Sequence, residues 1–362
     1  MRALVAVVIC VLIAVSASAA ASTTPQMLVR EAARVSGFPP RQPIVTTTVP
    51  MPRYDALYAR AGARAYPSTL RRADATAYAH LGLGARSVKA ATPRAWYDIS
   101  ERTLLVQRRP AASRRALVHE VVRALIDQNY NLKRLLGLRV HDRDRSLAAN
   151  AIVEGTAALS SGLRPAALRG TPLERFDALD ASAGLGAGRT LAGQLRYLGG
   201  RSALVTALRT FPQTTEQLLH VDKFLERERA LPIRLPAAAG GERLASSETF
   251  GELEVRNLLL ALRVPAAAAV SAGWGGGRLA LYGGVSAVVL RWDTAADAAE
   301  WQSAVPRYVA VAFPAASSTT CPPLDGCWTG PAEVAAGVYG TTSVFASGPG
   351  AAAVAAGLLS LK

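Results

Sequence analysis

The chain has 362 residues, half of them apolar, with 41 Lys and Arg against 26 Asp and Glu and a formal charge of +15. That length can bury one large core or two smaller ones. The charge would suit an anionic polymer, but only Lys89, Lys133, Lys223 and Lys362 are lysine. The arginines are dispersed, with pairs such as Arg71-Arg72 but no long basic run or aromatic-interleaved patch. The excess therefore reads as compositional bias, and no nucleic-acid partner is expected.

In chain order, Met1-Arg2 is followed by an apolar run from Ala3 to Val15 and the small residues SASAAAS. This is the pattern of a cleavable signal peptide over residues 1–21, with the cut near Ala19 to Ala21. The run is shorter than the ~20 residues that span a bilayer, and no later segment reads as membrane-spanning. Cys10 follows bulky Ile9, so no lipid anchor is expected. The mature chain should be secreted or extracytoplasmic.

Residues 22–50 are polar and rich in Thr and Pro, and read as a loosely ordered lead-in around a short helix, MLVREAARV. From Tyr54 to about Leu83, Leu57, Tyr58, Ala61, Ala65, Leu70, Ala73, Ala77 and Leu81 recur at helical spacing and predict a pair of helices. AWYDISERTLLVQ alternates about a polar turn and predicts a hairpin. Ser113 is placed to cap a helix running to about Leu136. A mixed-charge loop, RVHDRDR, leads to a second helix, SLAANAIVEGTAALSSG, that Gly162 ends.

After further helices, residues 236–241 read as a linker. Beyond it, 242–362 forms a C-terminal α+β portion. It comprises a helix (FGELEVRNLLLALR), two strands joined by a Gly-Gly turn (SAGWGGGRLALYGGVSAVVLRW), a helix opened by Asp293 or Thr294, the strand GTTSVFAS and an alanine-rich end. Cys321 and Cys327 bracket CPPLDGC and read as a disulfide closing a short loop in an oxidising compartment; the alternative is two free thiols. GWGGGR lacks the Lys-Ser/Thr of a phosphate loop, and its glycines are better explained by a tight backbone approach than by ligand contact.

The chemistry concentrates in ALVHEVVRALIDQNY. His119 and Glu120 open the HExxH signature, in which two imidazoles one helical turn apart hold a zinc ion and the intervening glutamate activates its water. The second histidine position is Arg123. On the following helix Leu147, Ala151, Glu154 and Ala158 share a face, so the Glu154 carboxylate leaves an apolar stripe and needs a partner. In the gluzincin arrangement a glutamate on a later helix is the third metal ligand.

HEVVRALIDQNYNL followed by AIVEGTAAL resembles the bacterial secreted gluzincin-type metallopeptidases that carry HExxHALQDQ and an EGDA block. AWYDISERTLLVQ, PQTTEQLLHVDKFL, and AGWGGGRLALY with RWDTAADAAEW agree in order, over some two thirds of the mature chain. The resemblance implies an α+β protein with a predominantly helical peptidase lobe over residues 51–235, bearing a small hairpin or sheet. It implies a metal ligand at His119, a general base at Glu120, a second ligand at Glu154, and His220 near the cleft as a donor to the oxyanion. Three positions depart from the pattern: Arg123 replaces a ligand histidine, Thr156 an aspartate, and Gly277 the acid of GWGGDR.

A guanidinium stays protonated and has no lone pair for a metal. Zinc would keep His119 and Glu154, one short of an ordinary catalytic set; of the remaining His80, His141 and His220, His141 sits in a charged loop and the better placed His220 would have to replace the ligand from a different direction. The expectation is that Arg123 lies where the metal would lie and neutralises Glu120 or Glu154. The competing arrangement pairs Arg123 with Asp127, one turn on. The chain should then be an impaired metallopeptidase with no cofactor, binding or regulating an unidentified peptide or cell-envelope ligand. The alternative is an active zinc peptidase with an unusual ligand set.

Overall fold

A computed structural model describes residues 21–84 and 92–360, so the expected signal peptide falls outside it apart from Ala21. The fold is α+β, with two sheets. The smaller is formed by β1 (Ala21–Thr23), β2 (Val45–Val49), β3 (Ala95–Asp98) and β4 (Thr103–Gln107), in the order β1-β2-β4-β3. β3 and β4 are the predicted hairpin. β2 joins β4 in parallel, with Val45 opposite Thr103 and Val49 opposite Gln107.

That pairing corrects the expectation of a loose lead-in. Residues 22–50 contain β1, a helix at Gln26–Ser36 and β2, and Ala32, Phe38 and Ile44 are buried in the helical core. The partner of β2 lies over fifty residues further on, so local composition carried no sign of it.

The helical core is built around the HEVVR helix, Arg114–Tyr130. Ser113 caps it, its hydroxyl accepting from Ala116 N at 3.2 Å. Every residue from Val118 to Asp127 is buried, because the helix is covered on several sides by Gln26–Ser36, the helix Arg143–Ser161 and strand β3. Burial on several sides leaves the polar groups of this helix dependent on partners inside the protein. It stops at Tyr130, short of the expected Leu136. Asn131 adopts φ 52°, and Asp127 Oδ1 accepts from Leu132 N at 2.6 Å, closing the turn.

The segment expected as the loop RVHDRDR is largely helical: Leu138–His141 forms a turn, and Arg143 already belongs to the next helix. Arg143 and Asp144 are buried there, so their charge marks internal pairing and not a solvated loop.

The larger sheet is antiparallel: β5 (Ala238–Ala239), β6 (Glu242–Thr249), β7 (Trp274–Tyr282), β8 (Val285–Trp292), β9 (Ser317–Thr319), β10 (Gly326–Thr329), β11 (Val334–Tyr339) and β12 (Thr342–Ser347). Its order is β5-β6-β7-β8-β12-β11-β10-β9. Along β8 the side chains alternate: Val288, Leu290 and Trp292 meet helices Glu252–Ala261 and Ala295–Ala312, whereas Val285, Ala287 and Val289 meet the alanine-rich helix Ala351–Leu359. Coverage of both faces explains the continuous apolar run VSAVVL. Residues 236–241, expected as a linker, include β5, and Tyr282 donates its hydroxyl to Pro236 O at 2.9 Å. Thr294 caps the helix predicted after β8, in a capping box with Asp297. No described helix is long and apolar enough to cross a membrane.

Candidate functional site

Three side chains of the HEVVR helix and one of the next helix converge. Arg123 Nη1 donates to Glu120 Oε2 at 2.8 Å, and Arg123 Nε lies 2.8 Å from Glu154 Oε1. The second contact is close in distance, although its N–H is not aligned as a hydrogen bond. His119 Nε2 lies 2.8 Å from Glu154 Oε2 and 3.9 Å from Glu120 Oε1. Glu120 Oε2 also accepts from Tyr97 N of β3 at 2.9 Å. One guanidinium thus bridges two carboxylates from separate helices, and the histidine holds the free end of one of them.

The backbone around Glu154 is unusually close. A Cβ on Gly184 would strike the side chain of Glu154, one on Gly155 would strike the backbone of Gly188, and one on Gly188 would strike Ala151 O. The turn Gly184–Gly188 therefore lies flush against the helix and fixes the direction in which Glu154 leaves it. The signal was present in the sequence as GLGAG.

The electrostatics follow from burial and pairing. Removal from water would raise the Glu154 carboxyl, but the charge of Arg123 and the contact with His119 outweigh it and hold the group at about 2. Arg123, 8 % exposed, would be weakened as a base by its burial, yet Glu154 and Glu120 raise it further, so it stays charged. Since an ionised carboxylate only accepts, the proton between His119 and Glu154 sits on His119 Nε2. His119 Nδ1 is buried without a hydrogen-bond partner.

These donors do not fit a catalytic zinc site. His119 Nε2 carries the proton that a metal would have to displace, Glu154 accepts from it, and the guanidinium holds the space between Glu120 and Glu154 with no lone pair to offer. Glu120, which a zinc peptidase needs as a free base, already accepts from Arg123 and Tyr97 N.

The competing pairing of Arg123 with Asp127 is not formed. Asp127 instead accepts from Tyr97 Oη at 2.9 Å, Arg102 Nε at 3.1 Å and Leu132 N. Thr156 donates back to Ile152 O and takes no part in the cluster. His220 joins Glu252, Nε2 to Oε1 at 2.9 Å; that hydrogen bond, with burial opposing it, raises the imidazole above its usual value. The contact is with a glutamate of the C-terminal portion, not with His119, Glu120 or Glu154. His80 bonds Ser286 Oγ against the large sheet, and His141 is exposed.

Cys321 and Cys327 form the expected disulfide. Gly277 is closed off: a Cβ there would run into Phe250 O, which also accepts from Trp274 Nε1 at 3.1 Å. Gly276 lies beneath Leu231 O in the same way. The glycines of GWGGGR thus serve close backbone approach.

Residues 242–357 match a family model described as a domain of unknown function (DUF8575). This match takes in β6 to β12 of the large sheet and leaves out β5 and the HEVVR cluster. No curated protein and no solved structure matches the chain.

Sequence reasoning missed two further charged assemblies. Lys223 Nζ contacts Glu216, Glu228 at 2.9 Å and Asp293 at 2.7 Å, filling a trio of carboxylates whose spacing could otherwise hold a cation. Asp293 belongs to the DUF8575 segment and the others do not. Arg143 contacts Glu254, Asp180 at 2.7 Å, Asp74 at 3.0 Å and Glu248 at 3.4 Å. In both, the partners come from distant stretches, and only the sheer number of charges in DRDR and HVDKFLERER hinted at them.

Proposed function

We propose that this chain is a secreted, metallopeptidase-like protein in which Arg123 stands where the zinc ion of a gluzincin would stand. In this reading it binds or regulates peptide or cell-envelope material and does not hydrolyse it. The observation that supports this is the bridge itself: one guanidinium within 2.8 Å of both Glu120 and Glu154, with His119 on Glu154. A fixed cation there neutralises the same acids that a metal would, and keeps the helices together. It cannot polarise a carbonyl as a Lewis acid or supply a metal-bound nucleophile.

The test is zinc content. Purified protein loaded with zinc and dialysed should retain well under one equivalent and should leave unfolded casein uncut. One tightly held equivalent, together with cleavage abolished by Glu120→Gln, would establish a working peptidase instead.

A further inference from the structure

A cleft of about 820 Å³ opens between the helical part and the large sheet. Its wall includes Arg145, Arg227, Arg229 and Arg278, and its apolar surface includes Phe211, Phe224 and Trp274. None of His119, Glu120, Arg123 or Glu154 lines it. Arg145 and Glu154 share one helix, but nine residues separate them by about 13 Å along the axis and by half a turn around it. The cleft and the Arg123 cluster therefore face different directions.

We propose that this cleft binds an acidic peptide segment bearing apolar side chains. The inference rests on the reading of the chain as a binding module and supplies the chemistry of what it binds. Arg145, Arg227 and Arg229 are exposed, and none has a carboxylate partner among the described residues. Arg278 has only a hydrogen bond to Ser247 Oγ at 2.8 Å. Four guanidinia without a carboxylate partner around one concavity mark a place for an outside anion.

The acids in the wall are weak opposition. Asp142 Oδ1 is occupied by Arg145 N and Thr249 Oγ1, and burial lifts Asp144 to about 7, so its negative charge is partly lost at neutral pH. They still count against a phosphate, whose doubled charge they repel more than a single carboxylate. The rest of the wall suits a peptide. Gln213 and Gln217 brace it, their amides bonded to the backbone of Thr210, Phe211, Gln213 and Glu228, and the volume lies within the range of sites that enclose ligands of that size. Trp274 closes the floor with its indole fixed to Phe250 O, so the surface is preformed.

The probe is a fluorescein-labelled Glu-Leu-Glu-Leu-Glu-Leu peptide, read by fluorescence anisotropy on the full chain. Binding should weaken as salt is raised, because contacts at an open rim are screened. The Arg145→Glu/Arg229→Glu double variant should weaken it by about tenfold or more, and a Gln-for-Glu peptide should lose as much. Arg196→Glu, a charge reversal at an exposed position outside the cleft, should leave it unchanged. Thermal unfolding must show the variants folded; if the double variant is not, Arg227→Glu alone replaces it, with a loss of about threefold expected.

Equal binding by wild type and the folded variant, or no binding at peptide concentrations up to about 1 mM, would overturn the proposal. So would displacement of the peptide by inorganic polyphosphate at lower concentration than by unlabelled peptide. Because Arg123 is untouched in every arm, failure here leaves the zinc experiment to judge the other reading separately.

Discussion

Of the cations that sit inside cages of acids in this molecule, Arg123 and Lys223 do so differently. Arg123 uses its planar fork to span two carboxylates supplied by neighbouring helices of one core, with a histidine completing the group. Lys223 is a point charge amid three carboxylates, and it ties residues 216–228 to Asp293 of the DUF8575 segment. The first cage holds a place that a resemblance assigns to a metal; the second joins two parts of the chain. A cation among acids is thus a structural solution this fold uses more than once, and only the company of His119 and the HExxR spacing make the Arg123 case speak to function.

The comparison can be broken by removing each cation. Arg123→Ala leaves Glu120 and Glu154 uncompensated. It should cost about 3 kcal/mol in urea unfolding, at the low end for a buried pair because a third of the Glu154 side chain reaches solvent. Lys223→Met should cost about 2 kcal/mol at pH 8, since two of its three acids are about one third exposed. The loss should shrink at pH 6. Burial already lifts Glu216 to about 7 against the pull of Lys223, so without the ammonium the acid takes up a proton instead of staying charged. A loss for Lys223→Met larger than for Arg123→Ala would mean that the inter-segment clamp, not the core bridge, is the main electrostatic support.

Titration sharpens the contrast. Glu154 is held below its usual 4.5, at about 2, so the stability it contributes is present above 4.5 and lost as pH falls from there towards 2. Roughly 1–2 kcal/mol should disappear over that interval after allowance for solvent screening. Asp144 is shifted the other way, from 3.8 to about 7, so the folded state holds a proton that the unfolded chain has released, and stability should decline as pH rises between those values. Asp144→Asn should flatten that decline, of order 1–2 kcal/mol, in melts recorded from pH 4 to 8. The smallest effect is expected at the start of the helix that carries the cluster: Ser113→Ala should cost about 1 kcal/mol through loss of the cap on Ala116 N.

What was legible in the chain was local. The HEVVR helix and its Ser113 cap, the helix ended by Gly162, the β3–β4 hairpin, the β7–β8 pair and the helix opened by Thr294 follow from periodicity, caps and turn residues within each stretch. The convergence of His119, Glu120, Arg123 and Glu154 could be anticipated because helical spacing fixes the first three on adjoining faces and an isolated acid on an apolar stripe needs a partner. What escaped depended on distant partners. The parallel β2–β4 pairing made a lead-in into core structure, the breadth of the large sheet came from short strands such as β9 and β10, and Arg143 and Lys223 found acids as far along the chain as Glu254 and Asp293. His220, whose role was given by resemblance alone, makes its bond to Glu252.

The most direct measurement is the zinc stoichiometry of Arg123→His. With His119 and Glu154 already 2.8 Å apart, an imidazole at position 123 would complete the three-ligand set, and the folded variant should hold about one zinc where the wild type holds almost none. A folded variant that still binds no zinc, or a wild type that binds one equivalent without the change, would contradict the claim that an arginine has taken the place of the metal.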